Sequence, residues 1–366
     1  MTRKRILQII PTLDQGGAEK QMTLLACGLK DLGFDISVCA LTRSGPYEKW
    51  LHESDVPLTV IGKRWKFDPF AARRLRQHIR QQAPDIVHTW LFAANSFGRW
   101  AAKKEKVPTI VAGERCVDLW KQTWHFLIDR WLAKGTKCIV TNSSGVREFY
   151  AKHGIDANKF EIIPNGVSEP PPACAASREE ILDELKLPRD SKLIGTVGRL
   201  WPQKRQKDLV WGAELLRCVR DDVHLLIIGE GPQRWRLERY TYQMKLKDKV
   251  HFLGHREDVP RLMPHFDCLW LASDYEGQSN SILEAMALGI PVVASDIAGN
   301  RDLVVNEETG YLVTPGDRAG YAKWTLKIIE DDALAKRLGA AAKDRIRNHF
   351  SVESMVQRHV ELYERL

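Results

Sequence analysis

The most informative stretch of the sequence is Glu276-Gly-Gln-Ser-Asn-Ser-Ile-Leu-Glu284, which continues as Ala-Met-Ala-Leu-Gly289-Ile-Pro-Val-Val-Ala-Ser295. An apolar run at 268–272 precedes it and predicts a buried strand, so Glu276 lies just past a strand end. A helical pattern then begins, and the side chain of Ser279 or Asn280 is suited to cap its first turn. Gly289 ends this helix, and a second apolar strand follows. The stretch therefore predicts one strand-helix-strand unit of a parallel sheet.

The two carboxylates of this stretch are separated by seven residues. Glu276 is expected in the loop before the helix, and Glu284 about one turn inside it. A helix N-terminus at the carboxyl edge of a parallel sheet binds anions readily. This layout suits a polar, anionic, hydroxyl-rich ligand such as a nucleotide sugar.

Alternation of strand and helix patterns continues along the chain on both sides of a proline-rich segment at 169–177. Because such a segment continues neither a strand nor a helix, it predicts a linker. Two Rossmann-like, doubly wound α/β domains are therefore predicted, at 1–168 and 169–350, with a C-terminal helix at 351–366. Strands are predicted at 6–10, 36–41, 58–61, 86–89, 109–112, 138–141, 160–163, 192–197, 223–228, 250–253, 268–271 and 292–294. The predicted helices include 18–32, 69–82, 95–104, 119–132, 144–153, 318–330, 332–349 and 352–366.

Composition places the chain among ordinary globular proteins, with 44% hydrophobic and 28% charged residues. The net charge of +8 favours an anionic partner, and a basic surface that serves solubility is the alternative interpretation. The seven cysteines are scattered without a C-x-x-C pair, which indicates reduced thiols in a cytosolic protein rather than a disulfide framework or zinc site. No apolar run reaches the ~18 residues of a membrane span, so any membrane contact is expected to be peripheral.

Glycines and cations recur directly after predicted strands. Gly16 and Gly17 follow the first strand, and Gly198-Arg-Leu-Trp-Pro-Gln-Lys204 follows the first strand of the second domain. Glycine lets a phosphate approach the backbone, and an arginine with a nearby lysine can converge on one diphosphate. Ordinary turns and solvated charges are the structural alternatives.

Two further loops are less specific. Gly229-Glu-Gly231 is compatible with a simple turn, and Gly254-His-Arg256-Glu-Asp258 with a nucleobase-binding loop. Helix capping is the favoured role of Asp258.

Taken together, these pieces resemble the GT-B glycosyltransferases, and more narrowly the large retaining family 4, over nearly the whole chain. The resemblance implies two domains that face a central cleft, a nucleotide-sugar donor, and a glycan or lipid-linked acceptor. It also implies that the N-terminal domain binds the acceptor and the C-terminal domain the donor. The E-x7-E stretch with its Ala-x-Gly289-x-Pro291 tail is its most specific part.

The resemblance also implies roles for individual residues. Arg199 and Lys204 would bind the donor diphosphate, Glu276 the transferred sugar and Glu284 the ribose. The other implied donor-binding residues are Gly16, Gly17, Gly198, Arg256, Gly277, Gln278, Ser279 and Asn280. No D-x-D string is present, so metal-independent transfer from a UDP-sugar is expected, with no other cofactor.

One departure from the family pattern lies in the fourth strand. The family often has an H-x-H pattern there, and this chain has His88 followed by Trp90. His88 is a candidate catalytic residue of the cleft or, equally, a core histidine. Asn95, Glu114 and Arg115 are further cleft candidates because each lies near a strand end.

A basic segment with aromatic residues runs from Lys63 to Arg80. Phe70, Leu75 and Ile79 are expected to face the core, with the arginines outward. An ordinary surface helix is the favoured interpretation, and peripheral contact with an anionic inner membrane face is the alternative. Trp120, Trp124 and Trp131 are spaced to share a helix face, for which core packing is expected and an acceptor platform is the alternative.

The leading hypothesis is thus a cytoplasmic retaining glycosyltransferase of cell-surface polysaccharide synthesis. The alternatives are a sugar-nucleotide epimerase or phosphorylase on the same fold, or an inactive nucleotide-sugar-binding protein. An NAD-dependent oxidoreductase is disfavoured because no G-x-G-x-x-G follows the first strand, and nucleic-acid binding is not expected.

Overall fold

The computed structural model describes residues 4–168 and 176–366, so most of the predicted linker at 169–177 lies outside the described residues. The chain divides into two compact units. The N-terminal unit comprises 1–166 with 352–366, and the C-terminal unit 167–351. These divisions lie two residues before the predicted boundary at 168/169 and one residue after that at 350/351.

Both units are parallel α/β structures. The strands are β1 Arg5–Thr12, β2 Asp35–Arg43, β3 Leu58–Val60, β4 Ile86–Trp90, β5 Thr109–Glu114, β6 Cys138–Thr141, β7 Phe160–Ile162, β8 Lys192–Val197, β9 Val223–Ile228, β10 Val250–Gly254, β11 Cys268–Leu271, β12 Val292–Ser295 and β13 Tyr311–Val313. The helices are α1 Gly17–Asp31, α2 Glu48–Glu53, α3 Pro69–Gln82, α4 Leu91–Lys104, α5 Thr123–Ala133, α6 Ser144–Lys152, α7 Arg178–Leu185, α8 Gln206–Arg217, α9 Arg234–Gln243, α10 Val259–Leu262, α11 Asn280–Leu288, α12 Ala298–Arg301, α13 Arg318–Glu330, α14 Asp332–His349 and α15 Val352–Arg365. Strand β13 and helices α2, α7 and α12 have no counterpart in the predicted elements.

Strand order reverses once in each sheet. The seven-stranded sheet has the order β3-β2-β1-β4-β5-β6-β7, and the six-stranded sheet has the order β10-β9-β8-β11-β12-β13. All paired strands are parallel, with β1 between β2 and β4, and β8 between β9 and β11. The loops after the strands that flank such a reversal diverge to opposite faces and leave a crevice between them. The order therefore marks two crevices, one after β1 and β4 and one after β8 and β11.

Two predicted helices begin four residues away from their expected first residue. Helix α4 starts at Leu91 rather than Asn95, because strand β4 passes into it with no intervening loop and Leu91 takes a positive φ of 65°. Helix α5 starts at Thr123 rather than 119, because Gln122 and His125 form a reciprocal capping box there.

Three tryptophans and one phenylalanine do not lie where the sequence analysis put them. Trp120 precedes α5, and the exposed fractions of Trp120, Trp124 and Trp131 are 56%, 37% and 50%. Core packing was therefore the wrong expectation, because α5 buries His125, Phe126 and Asp129 instead. On α3 the apolar face is formed by Leu75 and Ile79 as expected, but Phe70 is 68% exposed.

The C-terminal helix α15 packs within the N-terminal unit. Its buried residues include Met355, Val356 and Val360, which join the same core cluster as Leu25 of α1. Contact with α1 is close at Gly28, where a Cβ atom would lie 2.6 Å from Cγ2 of Val356. Helix α15 is thereby fixed against α1 at a point where only glycine fits.

We therefore expect Gly28→Ala to destabilise the protein by about 1–3 kcal/mol, because the added methyl group overpacks the contact with Val356. Alanine is otherwise the better helix former by about 1 kcal/mol, so the sign of the effect depends on Val356. In a Val356→Ala background the same change is expected to be neutral or stabilising. Urea unfolding of the four variants of this cycle measures the difference, and equal effects of Gly28→Ala in both backgrounds would contradict the packing argument.

Candidate functional site

The crevice after β8 and β11 holds most of the predicted donor-binding residues. Strand β8 runs into the loop at 198–205, and β11 runs into the loop at 272–279. A 3₁₀ turn, Pro202–Lys204, closes the first loop before α8. The backbone amide of Asp274 donates to the carbonyl of Gln203 over 2.8 Å, so the two loops are joined at their centres.

Lys204 and Glu276 form an ion pair across the crevice, between Nζ and Oε1. The hydroxyl of Ser273 donates to the same carboxylate oxygen over 2.6 Å. The Lys204 and Glu276 side chains are only 16% and 10% exposed. Ion pairs with so little solvent retain their attraction but lose hydration, so a further hydrogen bond such as that of Ser273 matters. The predicted sugar-binding carboxylate and the predicted phosphate-binding lysine are therefore neighbours in this unit.

The neighbouring Arg205 serves a different purpose. Its Nη1 pairs with Asp274 over 2.9 Å, and its Nε donates to Asp208 over 2.7 Å. Arg318 from α13 bonds the other oxygen of Asp208 over 2.6 Å. Arg205 thus ties the loop after β11 to α8, and its charge is neutralised by protein carboxylates.

Arg199, in contrast, is exposed and carries its charge towards solvent. Its guanidinium lies 5.8 Å from the ring centre of Trp201, within cation–π range. Its carbonyl accepts from Nε2 of Gln206 over 3.0 Å, which fixes the backbone. Within 4–168 and 176–366, no carboxylate forms an ion pair with Arg199. Its guanidinium is therefore the available cation of this loop.

Glycines allow the loops beneath the site to pack backbone against backbone. Gly198 donates to the carbonyl of Ile228 over 3.0 Å, and Gly229 donates to that of Gly254 over 2.7 Å. A Cβ atom on Gly229, whose φ is 135°, would overlap the carbonyl oxygen of Gly198. Gly229 is therefore required where the loops after β8 and β9 cross. At Gly198 a Cβ would come 3.7 Å from Cε of Lys204, so this glycine lies beneath the lysine.

Helix α11 begins after the buried residues Gly277, Gln278 and Ser279, and Glu284 lies four residues into it, about 6 Å along its axis. This confirms the expected placement of Glu284, whose side chain is half-buried. The capping prediction was only partly right. Ser279 occupies the N-cap position, but its hydroxyl bonds the Ser281 hydroxyl at 2.9 Å and makes no capping bond. Asn280 is the first helical residue rather than the cap.

Three residues that support Glu276 were missed by the sequence analysis. The Ser295 hydroxyl donates to the carbonyl of Ser273 over 2.6 Å, and Asn300 donates to the carbonyl of Ser295 over 2.9 Å. Gly299 of α12 packs directly on the loop, because a Cβ there would overlap the carbonyl oxygen of Gly277. No local sequence signal identifies this support, since the contacts of Ser295 with Ser273 and of Gly299 with Gly277 join residues 22 positions apart through tertiary packing.

Arg256 lies in a cluster of charged side chains. It donates to Asp258 over 2.7 Å through Nε and to Glu184 over 2.7 Å through Nη2, and Arg261 bonds Glu184 over 2.7 Å. Hydrogen bonding to Arg256 lowers the pKa of Asp258 to about 2. Asp258 holds the N-cap position of α10 without a capping bond, so its predicted capping role was wrong. The Arg256 side chain is engaged by carboxylates, which leaves its backbone for any contact with a base.

The N-terminal unit places its glycine pair at its own switch point. Gly16 follows β1 as the N-cap of α1, in extended conformation and with no capping side chain, and Gly17 is the first helical residue. Gly16 donates to Asp14 over 2.8 Å and accepts from Lys20 over 3.0 Å. The pair therefore lies at a helix N-terminus, as its predicted phosphate-binding role requires.

His88 is a core histidine, which is the second of its two predicted roles, and it does not line a cleft. The side chain is fully buried, its Nδ1 lies 2.6 Å from the hydroxyl of Tyr363 in α15, and its ring stacks on Trp90 at 4.8 Å. Burial lowers its pKa well below the usual value, and the nearby His359 and Arg115 add to the effect. A neutral ring held in this way has no access to a substrate.

Asn95, Glu114 and Arg115 are buried as well, which contradicts their prediction as cleft residues. Asn95 donates to Glu114 over 2.8 Å, while Arg115 bonds Asn165 and lies 5.0 Å from the ring centre of Trp90. Burial lowers the pKa of Arg115 to about 9.

Glu114 belongs to a larger buried ion cluster that the sequence analysis did not anticipate. The hydroxyl of Tyr150 lies 2.9 Å from Glu114 and 2.8 Å from Asp118, and it accepts from Lys121 over 2.7 Å. Lys121 also bonds Asp129 over 2.9 Å. Burial raises the pKa of Glu114 to about 7, although Lys121 opposes the shift. One phenolic proton cannot serve both carboxylates, so a second proton on Glu114 completes the hydrogen bonding.

In the described ranges, no group of three or more His, Cys, Asp or Glu side chains is arranged to hold a metal ion. No helix of the described chain is long and apolar enough to cross a membrane.

The contact of Gly299 with the Glu276 loop can be tested by adding one methyl group. We expect Gly299→Ala to reduce the free energy of unfolding by about 1–3 kcal/mol and to accelerate amide hydrogen exchange in 273–278, because the loop must move. Gly135→Ala is the control, since a Cβ there meets only the Lys103 side chain at 3.5 Å. Unchanged exchange in 273–278 would contradict the contact.

The second proton of the ion cluster predicts a pH-dependent stability. Because folding raises the Glu114 pKa from its usual 4.5 to about 7, the contribution of this group is complete below pH 4.5 and is lost as pH rises through 7. Glu114→Gln mimics the protonated form. Its free energy of unfolding relative to that of wild type should therefore increase by about 1–3 kcal/mol from pH 5 to pH 8. Urea unfolding at both pH values measures this gain, and a pH-independent difference between the two proteins would refute it.

Two family models match most of the chain. The model of the family described as Glycosyltransferase Family 4 matches residues 15–169, and that described as Glycosyl transferases group 1 matches residues 177–345. A UDP-Gal:alpha-D-GlcNAc-diphosphoundecaprenol alpha-1,3-galactosyltransferase from Escherichia coli is 29% identical over 90% of this chain and 89% of its own. The lipopolysaccharide core biosynthesis glycosyltransferase LpsD of Rhizobium meliloti is 25% identical over 96% of both chains.

Solved structures share the fold. HepE of Anabaena, determined in complex with UDP-glucose, covers the full length of both chains with a TM-score of 0.89 at 22% identity. The lipopolysaccharide outer core galactosyltransferase WaaB has a TM-score of 0.73 at 22% identity. Since the two family models together span both α/β units, the chain has the GT-B fold and belongs to glycosyltransferase family 4.

Proposed function

We propose that the protein is a retaining glycosyltransferase that moves a sugar from a UDP-sugar to a lipid-linked or glycan acceptor in cell-surface polysaccharide synthesis. The observation that carries the proposal is the crevice after β8 and β11, where Glu276 meets Lys204 and where the guanidinium of Arg199 is available. A nucleotide sugar has the complementary groups, since it combines a diphosphate with sugar hydroxyls.

The two cations suit a diphosphate in different ways. Arg199 offers a planar fork of donors, and Lys204 a compact charge on a fixed 3₁₀ turn. In the free protein Lys204 pairs with Glu276, so a bound diphosphate would compete with the carboxylate for the ammonium group. That exchange would release a Glu276 oxygen for a hydroxyl of the transferred sugar.

The remaining donor-binding roles follow the same layout. The amides of Gly277 to Asn280 precede and open α11, whose dipole favours an anion at this end. Glu284, inside the helix, is assigned to the ribose, and the loop of Gly254 and Arg256 to the base through backbone groups. Gly16 and Gly17, at the start of α1, keep the donor-binding role that the family resemblance implies.

The chemistry proposed for this site is displacement of UDP at the anomeric carbon. The bond from that carbon to the diphosphate oxygen breaks, and a bond to the acceptor oxygen forms on the same face of the sugar. The acceptor proton passes to the departing phosphate oxygen. Charge develops on the diphosphate, and preformed cations and amides are the groups that stabilise such charge most effectively. Arg199 and Lys204 would supply this stabilisation without a metal ion.

The donor base and the acceptor class rest on relatives. The Escherichia coli relative uses UDP-Gal and a sugar linked to diphosphoundecaprenol, and HepE was crystallised with UDP and glucose. LpsD and the Staphylococcus aureus protein CapM carry names from lipopolysaccharide and capsule synthesis. These names support a UDP-sugar and a lipid-linked acceptor.

A thermal-shift screen of UDP-, GDP-, ADP- and TDP-sugars tests the proposal. A donor at 100 times its dissociation constant should add about 2.7 kcal/mol of stability. Arg199→Ala and Lys204→Ala should each weaken binding at least about tenfold, as expected for a charged contact of about 1.4 kcal/mol or more. Lys207→Ala is the matched control, because that lysine lies over the Tyr240 ring and outside the crevice. Failure of every nucleotide sugar to bind would refute the proposal.

The two carboxylates are expected to respond differently to shortening. Glu284→Asp should mainly weaken UDP binding, because the shorter side chain moves the carboxylate away from the ribose, a group that every nucleotide-sugar donor contains. Glu276→Asp should leave UDP binding nearly intact and lower turnover at least about tenfold, because it changes the contact with the reacting sugar. Calorimetry with UDP and transfer assays with the preferred UDP-sugar separate the two effects. The reverse pattern would overturn the assignment, whereas binding without turnover on any acceptor would support the inactive binding protein.

A further inference from the structure

A group of large apolar side chains in the N-terminal unit is exposed to solvent, and we name it the aromatic face. Its members come from the β3–α3 connection, the turn before α5, and α5 itself: Trp65, Phe67, Phe70, Leu119, Trp120, Trp124, Leu127 and Trp131. Phe67 is 83% exposed and Trp65 59%. Single exposed apolar residues are normal, but a group of this size marks an interaction surface.

The segments of the aromatic face adjoin one another. Both follow carboxyl ends of parallel strands, β3 and β5, and therefore lie at the same edge of the sheet. Nζ of Lys66 lies 5.0 Å from the ring centre of Trp124, which connects the two segments directly. Nζ of Lys103 lies 5.2 Å from that of Trp131 at the other end of α5. The aromatic rings are thus interleaved with ammonium groups.

Helix α5 carries apolar side chains on its outward face as well as on its inward face. It turns His125 and Asp129 inward, where Asp129 is held by Arg99 over 2.9 Å and by Lys121. Its outward face carries Trp124, Leu127 and Trp131, at the spacing of successive helical turns. The outward apolar stripe therefore remains largely exposed to solvent.

Charges around the aromatic face are almost all positive. In 61–82 the single carboxylate is Asp68, which is buried and caps α3 by accepting from Ala71 over 2.9 Å. In 119–134 it is Asp129, which is buried and paired. Asp118, just before this segment, accepts from Trp120 and Tyr150 and pairs with Lys121. The exposed cations of these two segments are Arg64, Lys66, Arg73, Arg74, Arg80, Arg130 and Lys134. Of these, Arg74 and Arg80 are partly engaged, by the carbonyl of Ile61 and by Glu105.

We propose that the aromatic face docks on the surface of an anionic phospholipid bilayer. Tryptophan and phenylalanine side chains partition into the headgroup boundary, while lysine and arginine reach the lipid phosphates. Each cation near an anionic surface contributes about 1 kcal/mol. A second copy of the chain fits less well, because a twofold contact would place the same cations against one another.

Docking itself is independent of the proposed donor chemistry, and only its use rests on the proposed function. A lipid-linked acceptor presents its sugar at the headgroup level, and a protein held there meets its acceptor by diffusion in two dimensions. The bilayer thus supplies the acceptor without any helix that spans it.

Vesicle co-sedimentation of the full chain tests the proposal. The expected result is binding to vesicles of phosphatidylcholine with phosphatidylglycerol, weak binding to phosphatidylcholine alone, and release by salt. The triple variant Trp124→Ser/Leu127→Ser/Trp131→Ser should lose at least about tenfold in partition, as buried apolar area is lost. Lys66→Glu/Arg73→Glu should lose selectivity for the anionic vesicles.

Controls keep this experiment decisive. Trp235→Ser/Tyr242→Ser removes exposed aromatics of α9 in the other unit, at 58% and 62% exposure, and should bind vesicles as wild type does. If the α5 variant folds poorly, Phe67→Ser/Phe70→Ser changes the aromatic face outside that helix. The aromatic-face variants should keep the UDP-sugar thermal shift of wild type. A loss of vesicle binding is then distinguished from a loss of donor binding. Equal sedimentation of wild type and face variants, or a dimer in gel filtration that the face variants dissociate, would overturn the proposal.

Discussion

The contact between the loops after β8 and β11 is the interaction on which the C-terminal site depends. A parallel sheet brings both loops to one edge, and the reversal of strand order there separates their onward helices. The ion pair of Lys204 and Glu276 then spans the gap, with the Ser273 hydroxyl at 2.6 Å from the shared oxygen. Because partial burial offsets much of the attraction of such a pair, its main effect is on position rather than on overall stability. It keeps a cation and a carboxylate within reach of one ligand.

Backbone packing gives this site its rigidity. Side chains extend from loops that cross so closely that Gly229 and Gly299 have no room for a Cβ atom. Hydrogen bonds from Gly198 and Gly229 then fix the crossing over 3.0 and 2.7 Å. A loop supported in this way loses little further entropy when a ligand binds, which is the benefit of preorganisation. The glycines therefore matter through the position they give to Lys204 and to the Glu276 loop.

Local sequence patterns predicted most of the strands and helices. The features that they did not predict depend on tertiary contacts between distant residues. Strands β8, β9 and β11 and helices α3, α13 and α14 have the predicted bounds, because apolar runs and capping residues are local signals. The placement of Glu284 followed from the same signals. Ser295 and Asn300, however, act across the sheet, and no spacing in the sequence indicates that they support Ser273. His88 shows the same limit. Its ring stacks on Trp90 in the same strand, but its burial also depends on Tyr363, which lies 275 residues away.

Helix α5 shows why a periodic apolar pattern can indicate the wrong face. Three tryptophans at helical spacing predict a buried stripe when hydrophobic burial alone is considered. Here the inward face is chosen by Asp129, which must meet Arg99 and Lys121 to compensate for lost hydration. Tyr150 and Glu114 complete that cluster. Rotation of α5 to bury the tryptophans would therefore take the Asp129 carboxylate away from Arg99 and Lys121 and leave these buried charges without it. An unpaired buried charge costs more than an exposed indole, since a single apolar side chain gains about 1.5–3 kcal/mol on burial. The buried ion cluster and the exposed aromatic face are therefore two consequences of one choice of helix orientation.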